Sequence, residues 1–550
     1  MGKGVYSNII CMENKNINFT PTRHQLDAMD YFLRSKYKGL LLYHRLGSGK
    51  TCTAIIIADL MLKKNMINRV YILSQGSLRK TWIDQYCKMC GADKKILFEK
   101  YTFITYNYNV SEVLPDSFDN ALVIIDEIHM LINSVKNGTK TGVTIYEKIS
   151  SSNCRILALS GTPVFHYIYE FPLIGSLLKP EEFMDIRTEN SIDQDKFMNL
   201  FDVDKDGNVT PENPAKIKYL LKGIISYFPG KEEKYYPTVI YEKPIRVKMS
   251  QGQEKVYWHN YFSECELMYI KPNEGLKLQY IDDYNLIKEL TIMAKKRIMS
   301  RLASNIVYFE SFKTKKDLIE TKKDLIETKE QSCWITKENL KDQALLKMSP
   351  KTVALILNII KHPSQKHVIF TFFKTKGGAY LIHSLLKLAG IKAAIFSGDL
   401  NDGKRSMLLK QYNSPENRYG KYIQVLIFTD AGAQGISLLE ARHCHIFESS
   451  TRETIIQQAI GRVVRYKSHY KMPKNEQNVK IWRYWSVSNQ DAPFDIKLVS
   501  TNRKGVTKER IKTVKNNTAI DELLYNEGII SVNKIRTFSL LLEEASVTPY

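Results

Sequence analysis

Short apolar runs alternate with longer amphipathic segments in two separate stretches of the chain. In the first, GLLLY (39–43) precedes the helical pattern TCTAIIIADLMLKK (51–64), and VYILS (70–74) precedes another from about Ser77 to Met89. YTFIT (101–105), ALVIID (121–126) and RILALS (155–160) are further strand-like runs. In the second, HVIFTFF (367–373), AAIFSG (393–398), VLIFTD (425–430) and CHIFES (444–449) alternate with helical patterns near 377–388, 403–412 and 454–465. Apolar runs without polar alternation suit strands buried on both faces, and the interposed helices suit parallel sheets covered on each side. The predicted fold class is α/β, with two parallel-sheet domains in tandem.

The stretch 245–345 reads as mostly helical and charged. Within it TKKDLIE (314–320) recurs at 321–327, placing Leu318, Leu325, Ile319 and Ile326 on one face. Two heptads are too few for a lasting coiled coil, so a surface helix lengthened by duplication is expected. The expected organisation is an N-terminal extension (1–20), a first domain (21–240), a helical linker or insert (241–348), a second domain (349–490) and a basic, helical C-terminal tail (491–550).

A formal net charge of +22 over 550 residues points to a polyanionic partner, nucleic acid before anionic membrane. No apolar run approaches the roughly 18–20 residues that span a bilayer, and no membrane partner is expected. MGKGVYSN lacks the apolar core of a signal peptide, and Tyr6 stands where a myristoylation pattern wants Ser or Thr. The eight cysteines do not form a disulfide framework. Cys87 and Cys90 make a C-x-x-C with no second pair beside it, so reduced, helix-borne cysteines are expected rather than zinc, and no structural metal. Asp202, Asp204, Asp206 and Gly207 begin like a calcium loop, but Asn213 holds the place of the bidentate glutamate, so an acidic turn is the reading.

The chemistry starts at LLLYHRLGSGKT (40–51), a strand, a glycine-bearing turn and a helix start, with His44 where a phosphate loop has its first glycine. Gly47, Ser48 and Gly49 would turn backbone N–H groups toward phosphate, Lys50 would reach the β- and γ-phosphates, and Thr51 would face Mg²⁺. VIIDEIH (123–129) ends a strand in two acids. Asp126 is the candidate Mg²⁺ holder, and Glu127 the group that polarises the attacking water. Ser160, Gly161 and Thr162 close another strand and are candidates for sensing nucleotide. Arg23 and Gln25 precede the loop, and a glutamine amide there can read an adenine edge. QQAIGRVVRYKSH (457–469) places Gln458, Arg462 and Arg465 on one helical face, suited to reach a γ-phosphate from a second domain. An arginine so placed contributes roughly 10³–10⁵ in rate.

The ordered set RHQ, GSGKT, DEIH, SGTP, TDAGAQGISL and QQAIGRVVR resembles superfamily 2 helicases and translocases over most of residues 20–490. SLRKTWIDQY and SPKTVALI resemble the chromatin-remodeller-like branch. GRVVRYKSH and AIDELLYNE are most similar to the nucleoside triphosphatase I and early-transcription-factor helicases of large cytoplasmic DNA viruses. His44, the tetrad DEIH, and SSTRET in place of Trp-Asn-Pro depart from the branch pattern. The resemblance implies two RecA-like domains, ATP and Mg²⁺ as cofactors, and a nucleic-acid track with DNA favoured over RNA. His129, Gly432, Gln434 and Gly435 would couple track to ATP site. The track candidates are Gln75, Ser77, Arg79, Lys80 and Thr105, then Lys374, Thr375, Lys376, Ser397, Gly398 and Thr429. Tyr106 and Tyr108 would either stack on bases or lie buried, and the basic stretch 502–517 would be either a phosphate grip or a linker. The implied role is a nucleic-acid-dependent ATPase in viral transcription, with an RNA helicase or an ATP-operated transcription-factor clamp as alternatives. A viral RNA polymerase or transcription-factor subunit is the implied partner. The implied location is the virion and host cytoplasm if viral, otherwise cytoplasm or nucleus.

Overall fold

Apolar runs whose neighbours both need covering pair most readily with one another, and here they pair in parallel. The computed structural model describes residues 20–548 apart from 46, 92, 107–113, 163–169, 184–186, 189–190, 193–213, 231–232, 269–296, 308–343, 376, 430–435, 490–493, 502–506 and 515–517. The N-terminal extension (save residue 20), the acidic turn, the heptad duplication, Tyr108, Lys376, Gly432, Gln434 and Gly435 therefore lie outside the described residues. The chain divides into two units, residues 1–235 with 530–550, and residues 236–529.

In the first unit, β1 (Gly39–His44), β2 (Arg69–Ser74), β3 (Tyr101–Thr105), β4 (Ala121–Asp126), β5 (Arg155–Ser160) and β6 (Ile225–Phe228) form one sheet in the order β3-β2-β4-β5-β1-β6. Every pairing is parallel. Its helices include α1 (Arg23–Arg34), α2 (Lys50–Lys63), α3 (Arg79–Gln85), α4 (His129–Lys136), α5 (Lys140–Ser151) and α6 (Phe171–Leu178). Successive strand residues go to opposite faces. Leu41, Val123 and Ile156 join Phe171 and Leu177 in one apolar cluster. Leu40, Leu42, Leu122 and Leu157 join Ile55 and Trp82 in the other. Both faces are therefore buried, as the unbroken apolar runs predict.

Cys90 is joined to Cys52 of α2, with Cα atoms 5.5 Å apart, while Cys87 is free. This corrects the expectation that Cys87 and Cys90 are both reduced. The helix after α3 widens to a π-helical turn over Tyr86–Cys90, which carries Cys90 under α2 and leaves Cys87 half-buried.

In the second unit, β7 (Thr238–Tyr241), β8 (Ile245–Lys248), β9 (His367–Phe370), β10 (Ala393–Phe396), β11 (Val425–Phe428), β12 (His443–Ile446) and β13 (Asn478–Val487) form a seven-stranded sheet. The order is β8-β13-β12-β9-β11-β10, with β7 also along β13. The stretch predicted helical from 245 thus begins with a strand, and β13 was not expected at all. Polar residues hide these strands: Arg483 of β13 is buried because the carboxylate of Glu453 pairs with it. The helices include α7 (Gln251–Met268), α8 (Ile298–Asn305), α9 (Pro350–Ile360), α10 (Ala379–Leu388), α11 (Asp402–Tyr412) and α12 (Glu453–Val463). Within the basic stretch 502–517, Thr507–Val514 is a strand, β15, antiparallel to β14 (Phe494–Thr501), while residues 502–506 and 515–517 lie outside the described residues.

The last helix, α13 (Ile520–Glu544), contributes to both units. In the second, Ala519, Ile520 and Leu524 pack with Met249, Tyr257 and Trp258. There the Asp521 carboxylate takes a hydrogen bond from Lys351 (2.9 Å) and one from the Ser486 N–H (3.0 Å). In the first, Ile535, Phe538 and Leu542 enter the Phe171 cluster.

His367, His443 and His445 stack across β9 and β12, with Trp482 of β13 beside them. Trp482 Nε1–H donates to His443 Nδ1 (3.0 Å), so His443 Nε2–H donates to Gln365 Oε1 (2.7 Å). Burial holds all three rings neutral, lowering His367 to about 4, His443 to about 2, and His445 well below 6.5. Above the unfolded value of 6.5 these rings are neutral in both states. Below it the unfolded chain takes up protons that the folded chain refuses, so stability falls with pH until each folded value is reached. Each such ring steepens the fall by about 1.4 kcal/mol per pH unit. In unfolding titrations between pH 6.5 and 4, His443→Gln should therefore show a shallower loss than the wild type; equal slopes would show that the ring is not held neutral.

Candidate functional site

Strand register decides which loops meet. Tyr43 of β1 lies opposite Ser160 of β5, and Asp126 of β4 lies opposite Leu159. The loops leaving β1, β4 and β5 therefore start side by side at the carboxyl edge of the first sheet, where ligands bind in open α/β folds.

After β1 the chain turns through Gly47 (φ 82°) and Gly49 (φ 87°), both left-handed, and Lys50 opens α2. Glycine is needed at 49 for a second reason, since a Cβ there would stand 2.7 Å from Gln25 Nε2. Lys50 Nζ donates to the His44 carbonyl (2.7 Å). His44 itself is fully buried, with its ring against Ser226 of β6 (2.9 Å). The bulky residue in the first-glycine position thus turns into the sheet and leaves the loop clear. Ser48 Oγ is buried without a hydrogen bond among the described residues, and Thr51 is half-buried in the first turn of α2.

Gln25 is buried with both ends engaged. Oε1 accepts the Thr22 N–H (2.8 Å), and Nε2 donates to the Gly49 carbonyl (3.2 Å) and Thr53 Oγ1 (3.0 Å). Arg23 is exposed, 3.8 Å from Asp27.

The Asp126 carboxylate accepts Trp82 Nε1–H (2.8 Å), while burial and the neighbouring Glu127 push its pKa up to about 6. Glu127 has a left-handed backbone (φ 50°), uncommon for a residue with a side chain and a mark of strained functional sites. Its Oε2 is buried without a hydrogen bond among the described residues, 3.5 Å from His129 Nδ1. His129 Nδ1 is also 3.5 Å from Ser160 Oγ, which accepts the Thr162 N–H (3.0 Å) across Gly161. Glu127, His129, Ser160 and Thr162 are therefore one contiguous set.

Gln75, the Ser77 backbone, Arg79 and Lys80 follow β2, and Thr105 ends β3 opposite Ser74, all at the same sheet edge. Arg79 and Lys80 are exposed, with the Arg79 guanidinium 5.5 Å from the Phe103 ring centre. Tyr106 is half-buried, packing against the first-unit core with its hydroxyl 3.5 Å from the Asp126 carbonyl. In the second unit, Lys374 pairs with Asp399, and Thr375 is exposed. The carbonyls of Ser397 and Gly398 are held by Arg405 (3.3 and 2.7 Å), and the Ser397 and Thr429 side chains are buried. Gln458 is half-buried and Arg462 buried on α12. Arg465 is not on that helix, a correction to the shared-face expectation. The helix ends at Val463, and Val464 turns out of it (ψ 87°). Arg465 then donates back to the Gly461 carbonyl (3.0 Å) and to Ser437 Oγ (2.7 Å).

Two residues at this sheet edge show no signal of their own as site residues in the sequence motifs. Trp82 reaches Asp126 across 44 residues, which no local pattern shows. His24 stacks on Phe228 at 3.6 Å and bonds the Ser48 carbonyl through Nε2 (3.1 Å); its position inside RHQ was the available signal.

Residues 18–165 match the family described as type III restriction enzyme, res subunit, and residues 351–467 match the helicase conserved C-terminal domain. The chain is similar to an Acanthamoeba polyphaga mimivirus protein named as an ATP-dependent RNA helicase, 26% identical over 85% of this chain and 83% of that protein. It is 26% identical to nucleoside triphosphatase I of Choristoneura biennis entomopoxvirus over 91% of this chain and 78% of the relative. The African swine fever virus termination factor NPH-I homolog is 22% identical over 93% of this chain and 76% of the relative. The two parallel-sheet domains, the ordered motifs on them and the two helicase-type family matches together support a superfamily 2 helicase whose reaction is ATP hydrolysis.

Proposed function

We propose that the protein is a DNA-dependent ATPase that translocates along its track during viral transcription. The observation that carries this reading is the contiguous set Glu127, His129, Ser160 and Thr162, which starts at the candidate catalytic acid and lies on the edge that also bears exposed Arg79 and Lys80. Such a set gives hydrolysis a physical route to loops that would grip phosphate. A net charge of +22 supports a polyanionic track. The name of the African swine fever virus relative, a termination factor, supports transcription as the setting; a viral RNA polymerase or transcription factor as partner, and the host cytoplasm and virion as location, are part of the same proposal.

In this reading the amides of Gly47, Ser48 and Gly49 cradle phosphate, and Lys50 exchanges the His44 carbonyl for the β- and γ-phosphates. Two buried polar atoms without hydrogen bonds, Ser48 Oγ and Glu127 Oε2, fit a site built for a polar ligand. Thr51 and Asp126 would hold Mg²⁺, which when bound would draw charge off the phosphates. Glu127 orients the attacking water and takes its proton. Gln25 trades its internal bonds for an adenine edge. Arg462 and Arg465 would supply positive charge to the γ-phosphate as it transfers, and Gln458 a neutral amide hydrogen bond.

The mimivirus relative's name favours a second reading, an RNA helicase, and an ATP-operated clamp is a third. An ATPase titration against single- and double-stranded DNA and RNA at two salt concentrations decides among them. DNA should stimulate most, and steeply less at high salt; RNA-only stimulation would overturn the DNA assignment. Stimulation without strand displacement fits a translocase or clamp, and displacement of a tailed duplex fits a helicase. Glu127→Gln should lower stimulated turnover at least about a hundredfold while nucleotide still binds; near-normal turnover would sink the mechanism. Gly49→Ala should abolish nucleotide binding, read with a fluorescent nucleotide, because strain and the 2.7 Å clash with Gln25 both act at the loop.

A further inference from the structure

The edge strand β6 has β1 on one side and the segment Ser546–Thr548 on the other. The Val547 N–H donates to the Ile225 carbonyl (2.8 Å), and the Tyr227 N–H donates to Ser546 Oγ (2.9 Å). An open strand edge invites pairing with another chain, and this segment occupies it. Its place is held by the second half of α13, through Phe538 and Leu542 in the core and a Lys218–Glu544 ion pair at 2.6 Å.

The segment also reaches the phosphate loop through hydroxyls. Thr548 Oγ1 lies 3.3 Å from the Tyr227 carbonyl, 3.1 Å from Ser546 Oγ and 3.2 Å from Ser226 Oγ; giving its one proton to the carbonyl, which can only accept, leaves it to accept from Ser226. Ser226 has then spent its own proton, and toward His44 (2.9 Å) it accepts Nε2–H. This sets the tautomer and leaves His44 Nδ1 a buried lone pair, in line with its having no hydrogen bond among the described residues. His44, Ser226 and Thr548 are 0%, 0% and 2% exposed, so water does not compete for these bonds. The far end of the relay is the residue whose carbonyl holds Lys50.

We propose that Ser546–Thr548 is a positioning element of the ATP site, setting the His44 ring through Ser226 and thereby the entry of the phosphate loop. Thr548 touches no reacting atom; it fixes the orientation of a residue that does the holding. A segment far from every helicase motif in sequence then controls nucleotide affinity.

The test uses the full chain and binding of a fluorescent ADP analogue, with ATPase kinetics alongside. Thr548→Val keeps the volume and removes the hydroxyl, so Ser226 loses its acceptor. Nucleotide Kd and the KM for ATP should rise about three- to tenfold, the worth of one buried hydrogen bond, with kcat within about twofold. Thr548→Ser should restore wild-type affinity. In a His44→Phe background, Thr548→Val should add nothing, because the relay is already cut. Ser226→Ala is the second route to the same loss if Thr548→Val folds poorly. Unchanged affinity in both single variants would overturn the proposal, as would an equal loss in the His44→Phe background, which would place the effect outside the relay. Wild-type binding of the analogue keeps failure of this proposal distinct from failure of the proposed track.

Discussion

The arrangement rests on parallel register at the centre of the first sheet. β1, β4 and β5 are neighbours in space although β4 and β5 come after the whole β2–β3 excursion, and their pairing sets Tyr43 against Ser160 and Asp126 against Leu159. Each strand of a parallel sheet must return by a crossover, so functional loops gather on one edge without further instruction. Slipping β4 by one residue would send Ile124 and Ile125 to the wrong apolar clusters. The same packing that buries the core therefore positions the acid at the phosphate loop. Stability and site geometry are one constraint here.

The second unit uses buried charge differently. Lys351 and Asp521 lie at 0% and 2% side-chain exposure, joined to each other and to the Ser486 N–H. Arg483 and Glu453 make a comparable pair between β13 and α12. Such pairs add little net stability over apolar replacements, but removing one partner leaves an uncompensated charge that costs about 3–5 kcal/mol. Their effect is to specify where a strand or helix docks. Asp521 assigns the start of α13 to one place in the second unit, and the Glu453 pair does the same for the helix that carries Gln458 and Arg462.

What could be read from the sequence follows from this difference. β1 to β5 and β9 to β11 are apolar runs, and their identity is local. β6 and β13 are not so legible. Ser226 is tolerable inside β6 because His44 and Thr548 meet it, and Arg483 inside β13 because Glu453 does, and those partners lie far along the chain. The candidate nucleotide residues stand out in the sequence because they sit in contiguous motifs beside strand ends. Trp82 was not, since an indole on a helix gives no sign that its N–H meets Asp126. The place of Arg465 failed for a third reason: helical periodicity continues through 465 in sequence, but the backbone leaves the helix at Val464. Periodicity states which residues would share a face, and only the backbone states where the helix stops.

Lys50 already has an acceptor, the His44 carbonyl at 2.7 Å. In the proposed site an arriving phosphate would therefore meet a built-in competitor. Its gain at this ammonium is the difference between two hydrogen bonds from a charged donor, not the full strength of one. When phosphate leaves, the same carbonyl takes the ammonium back, so departure never strands a charge in a closed loop. Affinity is given up at the entry step and returned at the exit step. A motor limited by the release of its products would gain from that trade in the speed of its cycle.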